Sequence, residues 1–250
     1  MDYDDPINLN YEQHSNRLLR SMLRSKIPGI VSRSCQVVAG NRLLAEWTAQ
    51  FNPNVTIIPT SVDLRKYAAD VPRRRAGEKP VIGWIGTPMT ARYLRLLERP
   101  LRALRTRHDF VLKVIGAPNF TMEGIEVQAV PWSEATEVDE LRTCDIGIMP
   151  IPDDPWARGK SALKLIQYLA AGVAAVASPV GANCDVLQES RNGLFAVTEE
   201  DWTEKLAALI ERPAYREHLA RAGRHTVEER FSLQGNAPRF TVILRQAAAT

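Results

Sequence analysis

A chain of 250 residues, 45% hydrophobic and 24% charged, carries enough apolar material for one or two cores and has the composition of an ordinary globular protein. Its net charge of +3 is small for that length and the arginine runs RTRHD and VPRRRAG are short, so no nucleic-acid partner is expected. Cys35, Cys144 and Cys184 are odd in number and far apart, which suggests neither a disulfide framework nor a metal cluster and fits a reducing, cytoplasmic setting.

The opening MDYDDPINLN lacks the basic and apolar regions of a secretion signal, and no apolar run nears the roughly 20 residues of a membrane span. A helix is predicted from about Leu9 to Lys26, stopped by Pro28 and Gly29. Its basic stretch from Arg17 to Ile30 is interleaved with Leu18, Leu19, Met22, Leu23, Ile27 and Ile30. That pattern fits the buried face of an ordinary helix, and it also fits peripheral contact with an anionic lipid surface. A strand at Gln36 to Ala39 leads through Gly40 and Asn41 into a helix up to about Gln50, and a strand at Val55 to Ile58 closes one βαβ unit. Two strands before residue 60 fall short of the five or six of a free-standing Rossmann domain.

Residues 63–79, with Pro72, Arg73, Arg74, Arg75 and Gly77, read as a linker. Regular alternation follows. Strands are predicted at Val81 to Ile85, Phe110 to Ile115, Ile125 to Ala129, Ile146 to Met149 and Ala174 to Ala177, with Leu194 to Val197 as a sixth and helices between them. Helices near Thr203 to Ile210, Tyr215 to Arg230 and Pro238 to Ala248 complete the chain. The fold class is therefore α/β, a Rossmann-like doubly wound parallel sheet with a partial Rossmann-like unit before it. The expected divisions are 1–62, the linker 63–79, a main domain 80–232 and a terminal helix 233–250.

The segment from Ile146 to Gly181 carries the chemistry: an apolar strand, an acidic proline-bearing loop, a cationic helix start and a second buried strand. Loops of this kind sit at the carboxyl ends of parallel strands, where a helix amino terminus and nearby cations meet an anion. Lys160, Lys164 and Gln167 fall at helical spacings of four and three, with Leu163, Ile166, Leu169 and Ala170 on the opposite, core side. A lysine in a first helical turn opposes the helix dipole. Either a diphosphate is held between the helix start and the Arg158/Lys160 pair, or the face is simply solvated and basic.

In GTPMTARYL, Gly86 allows close backbone approach and Thr87 and Thr90 offer hydroxyls, although Thr90 also suits an N-cap. Trp132 follows the third strand of the main sheet and suits either a stacking contact or a buried helix start. Asp153 and Asp154, being adjacent, fit capping or a sugar hydroxyl better than a paired-carboxylate hydrolase. His14, His108, His218 and His225 show no metal-ligand spacing, and no metal is expected.

The wording DIGIMPIPDDPWARGKSALKLIQYLAAGVAAVASPVG closely resembles the retaining GT-B-fold glycosyltransferases, family 4-like and group 1, the large family that includes sucrose synthase. VTIIPTSVDLRKY, VIGWIGTPMTARYL and VQAVPWSEATEVDEL match further landmarks of one subgroup, so the likeness covers most of residues 30 to 235. The resemblance implies two facing Rossmann-like domains, the second binding a nucleotide-sugar donor and the first mostly the acceptor. This chain looks like the whole second domain with only the last third or so of the first.

The same resemblance implies sugar transfer with retention, without metal or cofactor, the nucleotide sugar being a substrate and the acceptor a sugar or lipid-linked molecule. Arg158 and Lys160 would stabilise the leaving diphosphate, and Gly86, Thr87, Trp132, Lys164 and Gln167 would hold the donor. Much of the family has two glutamates eight positions apart at this helix, one toward the donor sugar and one toward the ribose; here those positions are Gly159 and Gln167. A variant donor site is expected. The rival expectation is a catalytically silent nucleotide-sugar-binding or partner subunit, self-associating through an incompletely covered first unit.

Overall fold

The computed structural model describes residues 1–67 and 78–249. Two parallel sheets organise the chain. The smaller holds β1 (Asp2–Tyr3), β2 (Val37–Ala39) and β3 (Val55–Ile57) in the order 1-2-3. Between β1 and β2 run α1 (Asn8–Glu12), α2 (Arg17–Leu23) and α3 (Lys26–Arg33), and α4 (Arg42–Thr48) joins β2 to β3.

Two expectations change here. The single helix from Leu9 to Lys26 is three short ones, interrupted where Asn16 leaves helical geometry to cap α2, and Pro28 and Gly29 lie inside α3 instead of stopping a helix. Pro28 is tolerated because it sits in the first turn of α3, where few intrahelical bonds exist for it to remove. Strand β1 is the second change. Its two residues give no readable periodicity, yet Tyr3 is fully buried and stacks on Trp47 with ring centroids 5.5 Å apart.

After a 3-10 turn at Leu64–Tyr67, most of the predicted linker lies outside the described residues. The larger sheet comprises β4 (Val81–Ile85), β5 (Val111–Ile115), β6 (Val127–Val130), β7 (Ile146–Met149), β8 (Ala174–Ala177) and β9 (Leu194–Phe195). All its pairings are parallel, in the order 6-5-4-7-8-9, the doubly wound arrangement whose strand order reverses between the first and fourth strands. The connecting helices are α5 (Glu98–Arg105), α6 (Glu137–Arg142), α7 (Pro155–Arg158), α8 (Leu163–Ala170) and α9 (Asn183–Val186). Beyond the sheet follow α10 (Glu199–Glu211), α11 (Pro213–Arg230) and α12 (Leu233–Ala248), the last starting five residues before the expected Pro238.

The strands read as continuous apolar runs because both faces are covered. Ile82, Trp84, Ile146, Ile148 and Val176 point to one core with Leu101, Leu104, Trp202 and Leu206; Ile85, Met149, Ala175 and Ala177 point to the other with Leu165, Ile166, Leu169 and Val227. Helix α12 returns to the smaller unit: Asn236 Nδ2 donates to Ser61 Oγ at 2.8 Å and Arg239 Nη2 to the Ile57 carbonyl at 3.3 Å. Among the described residues, no helix is long and apolar enough to cross a membrane.

Candidate functional site

The crevice lies where β4 and β7 part. Their register is matched only at Ile82–Ile146 and Gly83–Gly147. Beyond that point Tyr168, on α8, inserts its hydroxyl between the strands, accepting from the Ile85 amide at 3.0 Å and donating to the Ile148 carbonyl at 3.2 Å. The ring needs Gly147, since a Cβ there would come within 2.4 Å of it. Tyr168 is completely buried and burial raises its pKa, so the phenol stays neutral and fixes α8 against the switch point.

One turn earlier on α8, Lys164 reaches into the crevice. Its Nζ stands 4.4 Å from the centre of the buried Trp84 ring, and a Cβ added at Gly86 would lie 2.8 Å from that nitrogen and 2.5 Å from Trp84 Cη2. Gly86 is thus glycine for want of room. Burial first, and the positive field of Lys160 second, push the Lys164 pKa down to about 8. Among the described residues, no carboxylate pairs with this ammonium.

Lys160 departs from the expected helical face. Helix α8 begins only at Leu163, after Ala162 in the left-handed conformation (φ 57°), so Lys160 belongs to the preceding turn. Leu163, expected in the core, is the first residue of α8 and is exposed. Lys160 Nζ lies 5.9 Å from the Trp156 ring centre. It also faces Asp5, whose carboxyl is raised above its usual range by burial and partly drawn back by Lys160. Arg158 is engaged by a bidentate pair with Asp153, Nε–Oδ1 2.5 Å and Nη2–Oδ2 2.9 Å, both residues being exposed. Asp154 caps α7 by accepting from the Ala157 amide at 2.7 Å.

Gln167 is buried and tied into a chain of polar contacts. Its Nε2 donates to Glu137 Oε1 at 2.9 Å, while Trp132 Nε1 donates to Glu137 Oε2 at 2.5 Å, leaving the Trp132 ring half exposed. Glu137, at the first position of α6, was missed by sequence reasoning. Its signal was present only as an acid at a helix start, which the helix dipole explains without any site. Trp84 was missed because a tryptophan inside an apolar strand reads as core. Thr87 and Thr90 satisfy each other, their hydroxyl oxygens 3.2 Å apart, at the exposed rim of the same crevice.

The smaller unit closes over the Gly159–Lys160 turn. Asn41 is buried; its Oδ1 caps α4 at the Leu44 amide (2.9 Å) and its Nδ2 donates to the Gly159 carbonyl (2.9 Å). A Cβ at Gly159 would strike Pro6 Cγ at 2.5 Å, so Pro6 occupies the space that a side chain at 159 would need. Next to this contact a cavity of about 400 Å³ lies between the units, lined among others by Asn41, Arg42, Ser161, Asp185 and Arg239. Gly86, Lys164, Gln167 and Trp132 are thus gathered around the β4–β7 crevice, Lys160 stands at its border with the smaller unit, and Arg158 is turned to Asp153.

The sequence signature of the glycosyl transferases of group 1 matches residues 79–213, more than half of the chain, and the chain belongs to that family. It is a glycosyltransferase enzyme by that membership. No curated protein matches it in sequence. Among solved structures it is similar to HepE from Anabaena in complex with UDP-glucose, with 12% identity over 98% of this chain and 72% of that one and a TM-score of 0.75. Sucrose-phosphate synthase from Thermosynechococcus elongatus gives 16% identity, 99% and 67% coverage and a TM-score of 0.74. A glycosyltransferase from Rickettsia africae gives 17%, 91% and 67%, and 0.72. At such identities the likeness establishes the fold, a GT-B arrangement of Rossmann-like sheets. The chain spans about two thirds to three quarters of the length of these neighbours.

Proposed function

We propose that this group 1 glycosyl transferase binds a nucleoside-diphosphate sugar in the β4–β7 crevice and transfers the sugar with retention to a sugar or lipid-linked acceptor. The observation that carries the reading is Lys164: an ammonium held largely out of water, with no acid partner among the described residues, beside a glycine that leaves its approach open. A buried unpaired cation is costly unless a ligand supplies the counter-charge. A diphosphate supplies two negative charges or more.

In this reading Lys164 and Lys160 neutralise charge as it builds on the leaving diphosphate, which favours the transition state over the bound donor. Arg158 contributes once its pair with Asp153 exchanges for phosphate oxygens, a bidentate swap that its fork geometry suits. Gly86 and Thr87 line the phosphate or sugar side. Trp132 presents a ring face to the base, and the Gln167–Glu137 pair accepts and donates to the ribose hydroxyls. Glu137 thereby brings a carboxylate to the place where position 167 has only an amide. The cavity between the units receives the acceptor, with Asn41 and Pro6 holding the Gly159–Lys160 turn in register. No metal or cofactor takes part.

Because HepE was solved with UDP-glucose, that donor is the first to test. Calorimetric titration with UDP-glucose and other nucleotide sugars, followed by an assay for released nucleotide with and without acceptor, separates the possibilities. Binding with transfer supports the enzyme reading. Binding without turnover, together with self-association in light scattering, favours the alternative of a silent donor-binding subunit. No binding to any donor removes both.

A further inference from the structure

We infer that α2 and the start of α3 form a docking surface for an anionic lipid bilayer, a property separate from the donor site and independent of it. Three observations converge. First, no residue of α2 is buried: Leu18 is 75% exposed, Met22 72% and Leu19 41%, and Ile30 on α3 adds 43%. Second, at 100° per residue Leu18, Met22, Leu19 and Leu23 share one side of α2, while Arg17, Arg20, Ser21 and Arg24 share the other. Third, no acidic residue occurs from Gln13 to Ala45, a stretch that holds Arg17, Arg20, Arg24, Lys26, Arg33 and Arg42.

A seven-residue helix has little stability of its own in water, and α2 has only the cap from Asn16 Oδ1, which accepts from the Leu18 and Leu19 amides at 2.9 and 3.3 Å. An apolar side whose Leu18 and Met22 stand largely in solvent, with Leu19 and Leu23 only partly covered, and an arginine side that reaches to its flanks is the geometry of a helix lying in the plane of a membrane interface. The acid-free stretch selects the charge of that interface. A protein partner would have to offer an apolar groove rimmed only by acids; an anionic leaflet offers both features everywhere. The end of α12, which also carries no acid after Glu229, meets the same unit, with Cys35 Sγ 3.8 Å from the Ala247 carbonyl.

The test is vesicle co-sedimentation of the whole chain with phosphatidylcholine alone and with phosphatidylcholine containing one third phosphatidylglycerol. Binding is expected to the anionic vesicles, at least about tenfold above the neutral ones, and to weaken steeply with added salt. Replacing Arg17, Arg20 and Arg24 together by Gln should lower partitioning by roughly a hundredfold, on the scale of one such cation each. Leu18→Asp with Met22→Asp should abolish it while far-UV dichroism of the rest of the chain is kept, because these side chains touch no core. Equal binding to neutral vesicles, or no binding to either, would overturn the proposal. So would a concentration-dependent dimer in light scattering that Leu18→Asp dissolves, since the face would then belong to a second copy.

Discussion

Lys164→Met should move stability and binding in opposite directions. The ammonium's pKa stands at about 8 against an ordinary 10.5, chiefly through burial. At about 1.4 kcal/mol per unit, holding it charged in the crevice costs roughly 3 kcal/mol at pH 7. The unfolded chain binds this proton more tightly than the folded one. The penalty is therefore complete below about pH 8, fades as the folded form loses its proton, and is gone above 10.5. Methionine keeps the stem against Trp84 but forfeits the cation–π contact, about 1 to 2 kcal/mol for a desolvated pair. A net gain of about 1 to 2 kcal/mol should remain in chemical denaturation at pH 7 and shrink by pH 10.

The same substitution should weaken UDP binding by about 1.5 to 3 kcal/mol, or roughly ten- to a hundredfold, in calorimetry at pH 7. Stability rising while affinity falls is the mark of a charge placed for a ligand at the fold's expense. A variant that is less stable and binds UDP as tightly as the parent would refute the reasoning, and Lys164 would then be a packing residue whose charge has no task.

Affinity for UDP should be flat below about pH 8 and decline above it by up to tenfold per unit, and Lys164→Arg should remove that decline because guanidinium keeps its charge; a decline that persists in the arginine variant points to another group. Glu137→Gln should weaken uridine and UDP alike by about 1.5 to 3 kcal/mol, whereas Lys164→Met should spare uridine, so equal effects of both variants on the two ligands would contradict the division into ribose and phosphate sides. Lys160→Ala should cost about 1.5 to 3 kcal/mol in UDP-glucose binding and Gln167→Ala only about 0.5 to 1.5, with unchanged melting for Lys160→Ala; the reverse order in calorimetry misplaces the ribose. Ala162→Gly should raise the denaturation midpoint by an amount near 1 kcal/mol or less, relieving the left-handed backbone at φ 57°; a loss of stability would mean that the alanine methyl packs better than its backbone strains.

The large sheet was legible because its signal is local: five apolar runs of strand length separated by helical periods specify a doubly wound sheet, and a strand buried on both faces needs no partner to be recognised. Gly86 and Trp132 were legible as residue types in loops after strands, Lys164 and Gln167 as one face of a helix, and their meeting at one crevice follows from the strand order. Strand β1 was not legible, since two residues carry no period and exist as a strand only because β2 lies beside them. The start of α8 was misread for a similar reason: spacing alone continued the helix back to Lys160, whereas the left-handed Ala162 that ends it follows a turn held by Asn41 and Pro6 from 118 or more residues away in sequence. The partners of the polar groups belong to the same class. That Arg158 meets Asp153, that Glu137 joins Trp132 to Gln167, and that Lys164 meets no acid among the described residues are facts of distance between separate elements, and no one-dimensional pattern fixes distances of that kind.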